Sequence, residues 1–533
     1  LAIGIALFII IALYVKYELS YDDFQENKES IYRLELGNAE NSSVFLTSAM
    51  GIEVGQFPEV EKVTRFKYLD NVLINFNENT FKIPSLYLAD STVWDLFSFD
   101  FILGTPETAL NDPFQLVLTE SIAKQIFGNE NPVNQIIKTS SGQEYKISGV
   151  IKDVKHSHFT IDAIGSINLL GVLYGKERLN NHSTTQYFTY LKLVQGTNIQ
   201  NLSSKISDFY IKIFQDTPAD DIVFTIRSLK DCYFYKTTRL NLLGYKSGNL
   251  KAVKIFIAIG LFIIIIACIN FINLTTARAA SRAKEVSLRK LAGSSKRKLV
   301  FQFLNESIII TIISFILALT IVQISIPFFN NLILSNISFS TLVNPLTIAL
   351  LIIGIFIIGI ISGIYPAFYL TAFNPLTVLK GEITKGKKAA TFRKILIVVQ
   401  FTISVTLIIC TITVFKQLNY LKNKDLGFNK EQVVALELNN TLRQSKEAFK
   451  ETLLKIPSIN KVSYSMTIPG KGSNFEGFDF NSDGNSTTIQ VHTIDPDYIN
   501  LFEIDLISGR NFDWEKESDF KQKIILNEKA VKE

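Results

Sequence analysis

The chain has 533 residues, of which 47% are hydrophobic and 19% are charged, and its formal net charge is +5. This weak positive charge is not by itself a signal for nucleic-acid binding, and we predict no nucleic-acid partner. Its three cysteines are too few for a disulfide framework, and two of them, Cys268 and Cys410, lie inside apolar stretches. Composition therefore disfavours small disulfide-stabilised domains and gives no indication of nucleic-acid binding.

Five apolar stretches without Asp, Glu, Lys or Arg are the most prominent feature of the sequence. A helix rises about 1.5 Å per residue, so about 20 apolar residues cross a hydrocarbon core about 30 Å thick. The first stretch is short, and we interpret it as a truncated span because no basic segment precedes it and no cleavage site follows. With their flanks, the stretches predict transmembrane helices at residues 1–15, 251–275, 301–327, 346–367 and 395–416.

Basic residues cluster in two segments between these helices. Residues 276–300 contain eight Lys or Arg and one Glu. Residues 368–394 contain six Lys or Arg and one Glu. Because loops of this kind stay on the cytoplasmic side of a membrane, we predict that 276–300 is a cytoplasmic basic segment and 368–394 a cytoplasmic linker. The alternation of the spans then places residues 16–250 and 417–533 outside the cytoplasm.

Residues 16–250 are patterned as a folded α+β domain. Residues 17–33 have helical spacing and predict a stalk that continues the first span. Alternating or apolar runs predict strands, and the intervening pieces predict helices at 119–127 and 199–214. The predicted strands are 72–76, 114–118, 145–151, 187–193 and 222–226.

The region after residue 416 repeats part of this domain. Residues 89–104 (ADSTVWDLFSFDFILG) and 494–509 (IDPDYINLFEIDLISG) share two Asp, a Leu-Phe pair and a final Gly in the same order. Residues 116–124 (LVLTESIAK) and 524–532 (IILNEKAVK) each predict a buried strand that runs into a helix. We therefore predict a membrane protein with an α-helical bundle of at least five spans. Its two α+β extracytoplasmic domains form an internal duplication cut at both ends.

Residues 270–307 read NFINLTTARAASRAKEVSLRKLAGSSKRKLVFQFLNES. This segment resembles the signature of the FtsX/MacB-type ABC transporter permeases, in which a span ends in an Asn-rich turn and a basic segment and a QFLxES motif follow. Residues 363–381 (GIYPAFYLTAFNPLTVLKG) are similar to the same family's exit from its last span. Residues 1–36 resemble its first span, and the two outside domains, 16–250 and an incomplete 417–533, resemble the MacB-like periplasmic core domain.

Residues 276–291 predict an amphipathic helix that stops at Gly293. Its apolar side holds, at helical spacing, Ala280, Ala283, Val286 (or Ser287) and Leu291. Charge and periodicity alone favour a helix that fixes the orientation of the chain and touches anionic lipid. The family resemblance instead implies a coupling helix that docks into an ATPase. The residues then predicted for the ATPase interface are Arg278, Arg282, Lys284, Glu285, Val286, Arg289 and Lys290.

Motifs of catalysis and cofactor binding are missing from the sequence. No GxxxxGK[ST] phosphate loop occurs, and Gly470-Lys471 lacks its spacing. We predict that the chain is not an enzyme and holds no cofactor or metal, and that a partner subunit binds ATP. His156 and His158 form only a weak metal candidate because no cysteine lies nearby. The uncharged spans disfavour a proton-coupled secondary transporter.

The resemblance implies the membrane subunit of an ABC transporter complex, in the bacterial inner (cytoplasmic) membrane. ATP-driven closure of partner ATPases would move the coupling helix and, through it, the outer domains, for export of antimicrobial peptides, macrolide-like compounds or envelope cargo. The expected partners are an ABC ATPase subunit, the lipid bilayer, an envelope or periplasmic adaptor protein and a second copy in a homodimer. The alternative is an FtsX-like membrane sensor or scaffold that regulates an extracytoplasmic partner such as a cell-wall hydrolase.

Overall fold

The computed structural model divides into two compact units. The membrane unit comprises residues 1–20 and 249–423, and the outer unit comprises residues 21–248 and 424–533. The structure describes residues 1–38, 42–140, 142–182, 184–215, 222–235, 245–333, 337–372, 387–436, 438, 440–466, 468–469, 476–482, 485–516 and 523–532.

The helices follow one another along the chain as α1 to α16. Their bounds are α1 Ala2–Leu19, α2 Ser48–Val54, α3 Val93–Leu96, α4 Glu120–Phe127, α5 Asn168–Tyr174, α6 Ile199–Ile213, α7 Leu229–Cys232, α8 Leu250–Ala277, α9 Ala279–Leu291, α10 Lys296–Ile333, α11 Pro345–Thr371, α12 Lys387–Asn423, α13 Asn440–Gln444, α14 Lys446–Leu454, α15 Asp497–Leu501 and α16 Glu528–Lys532. Two short 3-10 helices cover Lys176–Leu179 and Phe339–Leu342.

The strands are numbered β1 to β14 in chain order. Their bounds are β1 Ile31–Gly37, β2 Ser42–Ser43, β3 Leu46–Thr47, β4 Val60–Phe76, β5 Asn79–Ala89, β6 Phe101–Leu103, β7 Gln115–Thr119, β8 Ile136–Thr139, β9 Glu144–Ile151, β10 Ala163–Ser166, β11 Thr185–Leu193, β12 Phe224–Ser228, β13 Glu476–Ser482 and β14 Asn485–Val491.

Within the described residues, five helices are long and apolar enough to cross a membrane: α1, α8, α10, α11 and α12. Each overlaps one of the five predicted spans. Large apolar side chains stay exposed along them, for example Ile324 and Phe328, which are 73% and 74% exposed. So much exposed apolar surface indicates contact with lipid.

Helices α10 and α11 approach each other closely where small residues meet. A β-carbon added to Gly363 would lie 2.8 Å from the side chain of Ser307, and one added to Gly359 would lie 3.1 Å from Ile308. A spacing of four residues places the two glycines on one face of α11. This small-xxx-small pattern is typical of packed membrane helices, so α10 and α11 form a tight pair.

The outer unit contains a mixed β-sheet. Its main strand order is β12-β1-β11-β4-β5-β10-β7-β9-β6, and β2, β3 and β8 pair at its sides. β10 runs parallel to β5 and β7 runs parallel to β9, whereas the other pairs are antiparallel. The five predicted strands are confirmed in β4, β7, β9, β11 and β12, and the two predicted helices in α4 and α6. They were readable because each is an alternating or an apolar run; β9 begins with alternating burial, whereas β7 and β11 are buried almost continuously.

The helical stalk predicted for residues 17–33 is wrong. α1 ends at Leu19, and residues 20–30 form turns. Asp22 has a φ of 60°, which an α-helix does not allow. Its buried carboxylate lies 2.6 Å from Nδ1 of His158. The long-range contact of Asp22 therefore outweighs the local helical preference.

The buried strand predicted before the last helix is also wrong. Ile524 is 61% exposed and Leu526 is 45% exposed, and α16 begins at Glu528. In the corresponding segment of the first repeated region, residues 116–124, strand β7 is buried because β9 and β10 pair with it on both sides. No strand pairs with residues 524–526 among the residues that the structure describes.

Candidate functional site

A short break at Arg278 separates α8 from α9. The Asn-rich turn expected at the end of the span does not form, because Asn270 and Asn273 lie inside α8. The chain turns at Arg278, with φ −79° and ψ 0°. At the other end of α9, Gly293 (φ +91°) stops the helix as predicted, and its amide donates to the Lys290 carbonyl at 3.0 Å.

One face of α9 is buried against α10 and α11. Val286 joins an apolar cluster with residues of both helices: Leu299, Phe303, Ala367 and Leu370. Ala283 and Ser287 are buried on the same face, which confirms that part of the predicted apolar side. The prediction is wrong at Leu291, which is 57% exposed. At 100° per residue, Leu291 lies about 140° around the helix from Val286.

Arg282 forms a two-pronged ion pair with Glu306 of α10. Its Nη1 and Nη2 donate to Oε2 and Oε1 at 2.8 and 2.6 Å. The hydrogen bond with Glu306 raises the pKa of Arg282. Two parallel bonds fix the orientation of a guanidinium group in addition to attracting it. Because both side chains are partly exposed, the pair positions α9 more than it stabilises the fold.

Two further basic residues of α9 also contact the spans. Lys290 Nζ donates to the carbonyl of Thr371 at 2.7 Å, in the last turn of α11, where carbonyls lack helical partners. Burial, with a smaller effect of Lys296, lowers the pKa of Lys290. Arg289 donates to Gln302 Oε1 of α10 at 2.7 Å. The basic side of α9 is therefore attached to both helices that its apolar side contacts.

The seven residues predicted for the ATPase interface thus divide into two groups. Four contact α10 or α11: Arg282, Val286, Arg289 and Lys290. Arg278 and Glu285 are exposed, and the Lys284 side chain lies outside the described residues. A role of these residues in binding an ATPase stays a prediction.

Two features of the site were missed from the sequence. Glu306 is the single acidic residue in the predicted span 301–327, and an acid within a span usually has a partner, so that signal was available. Leu288 and Leu291 are 58% and 57% exposed on the flank of α9 that faces away from α10 and α11. Helical spacing had placed Leu291 on the buried apolar side and had not included Leu288, so the exposed flank that the two leucines share was not predicted.

The histidine pair is not arranged as a metal site. His158 is fully buried, with Nδ1 2.6 Å from Asp22 and Nε2 2.8 Å from the Tyr190 hydroxyl. Both ring nitrogens therefore have protein partners. Among the described residues, no group of three or more potential metal ligands occurs. Gly470-Lys471 lies outside the described residues.

Two solved structures of extracytoplasmic domains match part of the chain. The periplasmic region of MacB from Actinobacillus actinomycetemcomitans is 15% identical and matches 38% of this chain and 89% of that one, with a TM-score of 0.28. The extracellular domain of the ABC-type transporter YknZ from Gram-positive bacteria is also 15% identical and matches 37% of this chain and 98% of that one, with a TM-score of 0.28.

Curated relatives match about half of the chain. The macrolide export ATP-binding/permease protein MacB of Mannheimia succiniciproducens is 24% identical over 50% of this chain and 38% of that protein. An uncharacterised ABC transporter permease of Methanocaldococcus jannaschii is 22% identical over 51% of this chain and 63% of that protein. The chain thus spans less than two thirds of the length of these relatives.

Two family models cover different parts of the chain. Residues 1–209 match the MacB-like periplasmic core domain, and residues 257–375 match the FtsX-like permease C-terminal family. The second match contains α9, α10 and α11 with the contacts described above. With five apolar helices and a periplasmic core domain, the protein is a multi-pass membrane protein with extracytoplasmic structure. The two family models and the MacB relatives together support an FtsX/MacB-type ABC transporter permease.

Proposed function

We propose that this chain is the membrane subunit of an ABC complex in the inner (cytoplasmic) membrane, and that α9 couples it to a partner ATPase. The observation that carries the proposal is the attachment of α9 at three points. Val286 packs into the apolar cluster, Arg282 pairs with Glu306, and Lys290 binds the end of α11. Packed side chains do not yield without repacking, so a push on α9 moves α10 and α11 with it.

The proposed mechanism is mechanical and requires no path for cargo through the spans. ATP-driven closure of the ATPases displaces α9 and the helices attached to it. Residues 21–248 follow α1 directly and lead directly into α8, so movement of these two spans reaches the outer unit.

The proposed cargo is an antimicrobial peptide, a macrolide-like compound or another envelope molecule. A second copy of the chain in a homodimer and a periplasmic adaptor are the further proposed components.

The ATPase contact that we propose is the exposed flank of α9, formed by Leu288 and Leu291. The two leucines are three residues apart and therefore neighbours on the helix surface. Arg282 and Arg289 already have partners on α10, so a charge reversal there would disturb the membrane unit itself. Leu288 and Leu291 can be changed without breaking any of these contacts.

The test is the affinity of the detergent-solubilised chain for a candidate ABC ATPase, taken first from the neighbouring genes. Leu288→Asp with Leu291→Asp is expected to weaken binding at least about tenfold, because each buries a carboxylate in an apolar contact. The matched control, Val434→Asp with Leu436→Asp, changes two residues of the outer unit that are 82% and 63% exposed. It should bind like the wild type. Unchanged affinity of the α9 variant would show that this flank contacts lipid instead.

We also propose that the two outer regions arose by duplication. The Asp90 amide donates to the Arg65 carbonyl at 3.3 Å, and the Arg65 amide donates to the Asp90 carboxylate at 2.8 Å. Asp495 and Tyr464 do the same, with an amide-to-carboxylate distance of 2.9 Å. A short helix, α3 or α15, follows each aspartate. A crystal structure in which the backbones around the two aspartates fail to superimpose would contradict the duplication.

A further inference from the structure

A pair of cations without an acidic partner lies on the outer unit. Lys67 of β4 and Arg178 of the first 3-10 helix are both half-buried. Among the described residues, neither has a carboxylate within ion-pair distance, whereas the neighbouring Arg65 pairs with Asp90 at 2.7 Å. Burial, with a contribution from the charge of Arg178, lowers the pKa of Lys67. Two like charges therefore lie close together, and no carboxylate within the described part of the chain pairs with either.

Buried hydrogen-bond donors lie beside these two cations. Lys67 Nζ lies 5.6 Å from the centre of the Tyr187 ring. The Tyr187 hydroxyl and Arg178 Nε are buried and make no hydrogen bond of good geometry among the described residues, although the Ser48 hydroxyl lies close enough to Tyr187 to affect its pKa. Burial raises the pKa of Tyr187, although Arg178 and Arg65 act in the opposite direction, so the hydroxyl keeps its proton. A buried donor without an acceptor costs about 1–3 kcal/mol, and buried polar groups normally have partners.

An exposed apolar surface adjoins these donors. Val172, Leu173 and Tyr174 at the end of α5 are 55%, 45% and 63% exposed. The Arg178 guanidinium carbon lies 5.4 Å from the centre of the Tyr174 ring. The cationic and the apolar parts therefore meet at Tyr174 and form one surface of mixed character.

We propose that Lys67, Arg178 and Tyr187 bind an oxyanion, a carboxylate or a phosphate, on a ligand whose apolar part rests on Val172, Leu173 and Tyr174. The planar fork of Arg matches either oxyanion, and Lys adds a mobile point charge. The anion would neutralise both cations and accept the hydrogen bonds that the Tyr187 hydroxyl and Arg178 Nε lack. This site is independent of ATPase docking, because it requires only the outer unit.

The experiment is calorimetric titration of the full chain in a neutral detergent with hexyl phosphate, hexanoate, hexanol and inorganic phosphate. Hexyl phosphate and hexanoate are expected to bind at least about tenfold more tightly than hexanol, with affinities that fall as salt rises. Inorganic phosphate should bind more weakly than hexyl phosphate, because it lacks the apolar part. Equal binding of hexanol and hexyl phosphate would overturn the proposal.

Two variants test the named residues. Lys67→Gln with Arg178→Gln should lose at least about tenfold in affinity for hexyl phosphate, whereas the control Lys82→Gln with Lys176→Gln removes two exposed charges and should not change it. Tyr187→Phe should weaken binding while leaving the fold at least as stable, because it removes a buried hydroxyl without a partner. Equal losses in the double variant and its control, or full affinity in Tyr187→Phe, would contradict the assignment.

Discussion

Replacing Glu35 by alanine is expected to destabilise the outer unit by about 3–5 kcal/mol, since it leaves buried guanidinium groups without a counter-charge. Glu35 and Arg33 are both fully buried on β1. Arg33 Nε donates to Glu35 Oε1 at 2.8 Å, and Arg227 donates to both carboxylate oxygens at 2.9 and 3.1 Å through Nε. The Ser42 hydroxyl donates to Oε2. One carboxylate therefore holds two arginines.

The pH dependence of this effect follows from the pKa of Glu35. Burial alone would raise that pKa, but Arg33, Arg227 and Ser42 outweigh burial and lower it below the ordinary value of 4.5. A lowered pKa in the folded state adds stability above the ordinary value, and that stability is lost as the pH falls through the folded pKa. The difference in stability between wild type and Glu35→Ala should therefore be constant from pH 7 to about 5 and shrink below it.

Tryptophan emission during denaturant unfolding measures this difference in the full chain. The chain has two tryptophans, Trp94 and Trp514, and both belong to the outer unit. The control is Glu144→Ala, whose partner Lys138 lies at 2.8 Å with both side chains more than half exposed. Exposed pairs contribute about 0–1 kcal/mol. Equal stability of Glu35→Ala and Glu144→Ala would contradict the buried network.

Reversing the charge of Arg282 is expected to uncouple the ATPase from the membrane unit while leaving ATPase binding intact. Arg282→Glu places a carboxylate beside Glu306, where the wild type has two bonds of 2.6 and 2.8 Å. Repulsion then replaces attraction between α9 and α10, whereas Leu288 and Leu291 are unchanged. In liposomes, the ATP hydrolysis that this subunit stimulates in a bound ABC ATPase should fall at least about tenfold.

The double variant Arg282→Glu with Glu306→Arg restores the ion pair with the two charges exchanged. It should recover most of the ATP hydrolysis rate that the wild-type subunit stimulates. Such a cycle isolates the interaction between the two residues from their separate effects. Arg297 is an exposed basic residue in the first turn of α10, and Arg297→Glu is the control for a charge reversal on this helix away from Glu306. A double variant that is no more active than Arg282→Glu would refute the coupling role of the pair.

Much of the fold was predictable because its physical signals are local. The spans were found from uncharged apolar length, and the strands from alternating or apolar runs, such as the alternating start of β9 and the buried run of β11, since these patterns follow directly from burial. The stop at Gly293 was found because a positive φ strongly favours glycine. The predicted stalk was wrong because the turn at Asp22 depends on His158, which lies 136 residues away in sequence.

The site was predictable only in part, for the same reason. Sequence spacing located α9 and its buried residues Ala283 and Val286, because one helix face has one period. The partners of its basic residues could not be assigned, since Glu306 and Thr371 come from two other helices. The family resemblance, not charge, implied that Arg282 contacts an ATPase, and in the fold its side chain pairs with Glu306 of α10. The oxyanion site was invisible because β4, β11 and the 3-10 helix meet only in the folded sheet.

The central claim is that ATP acting on a partner subunit moves the outer unit through α9. Hydrogen–deuterium exchange of the reconstituted complex, with and without ATP and with a hydrolysis-deficient ATPase, measures this movement directly. The account predicts ATP-dependent exchange changes in peptides of residues 21–248 and 424–533, which Arg282→Glu abolishes although the ATPase remains bound. Changes confined to α9 and its ATPase contact, with identical outer-unit exchange in both states, would contradict it.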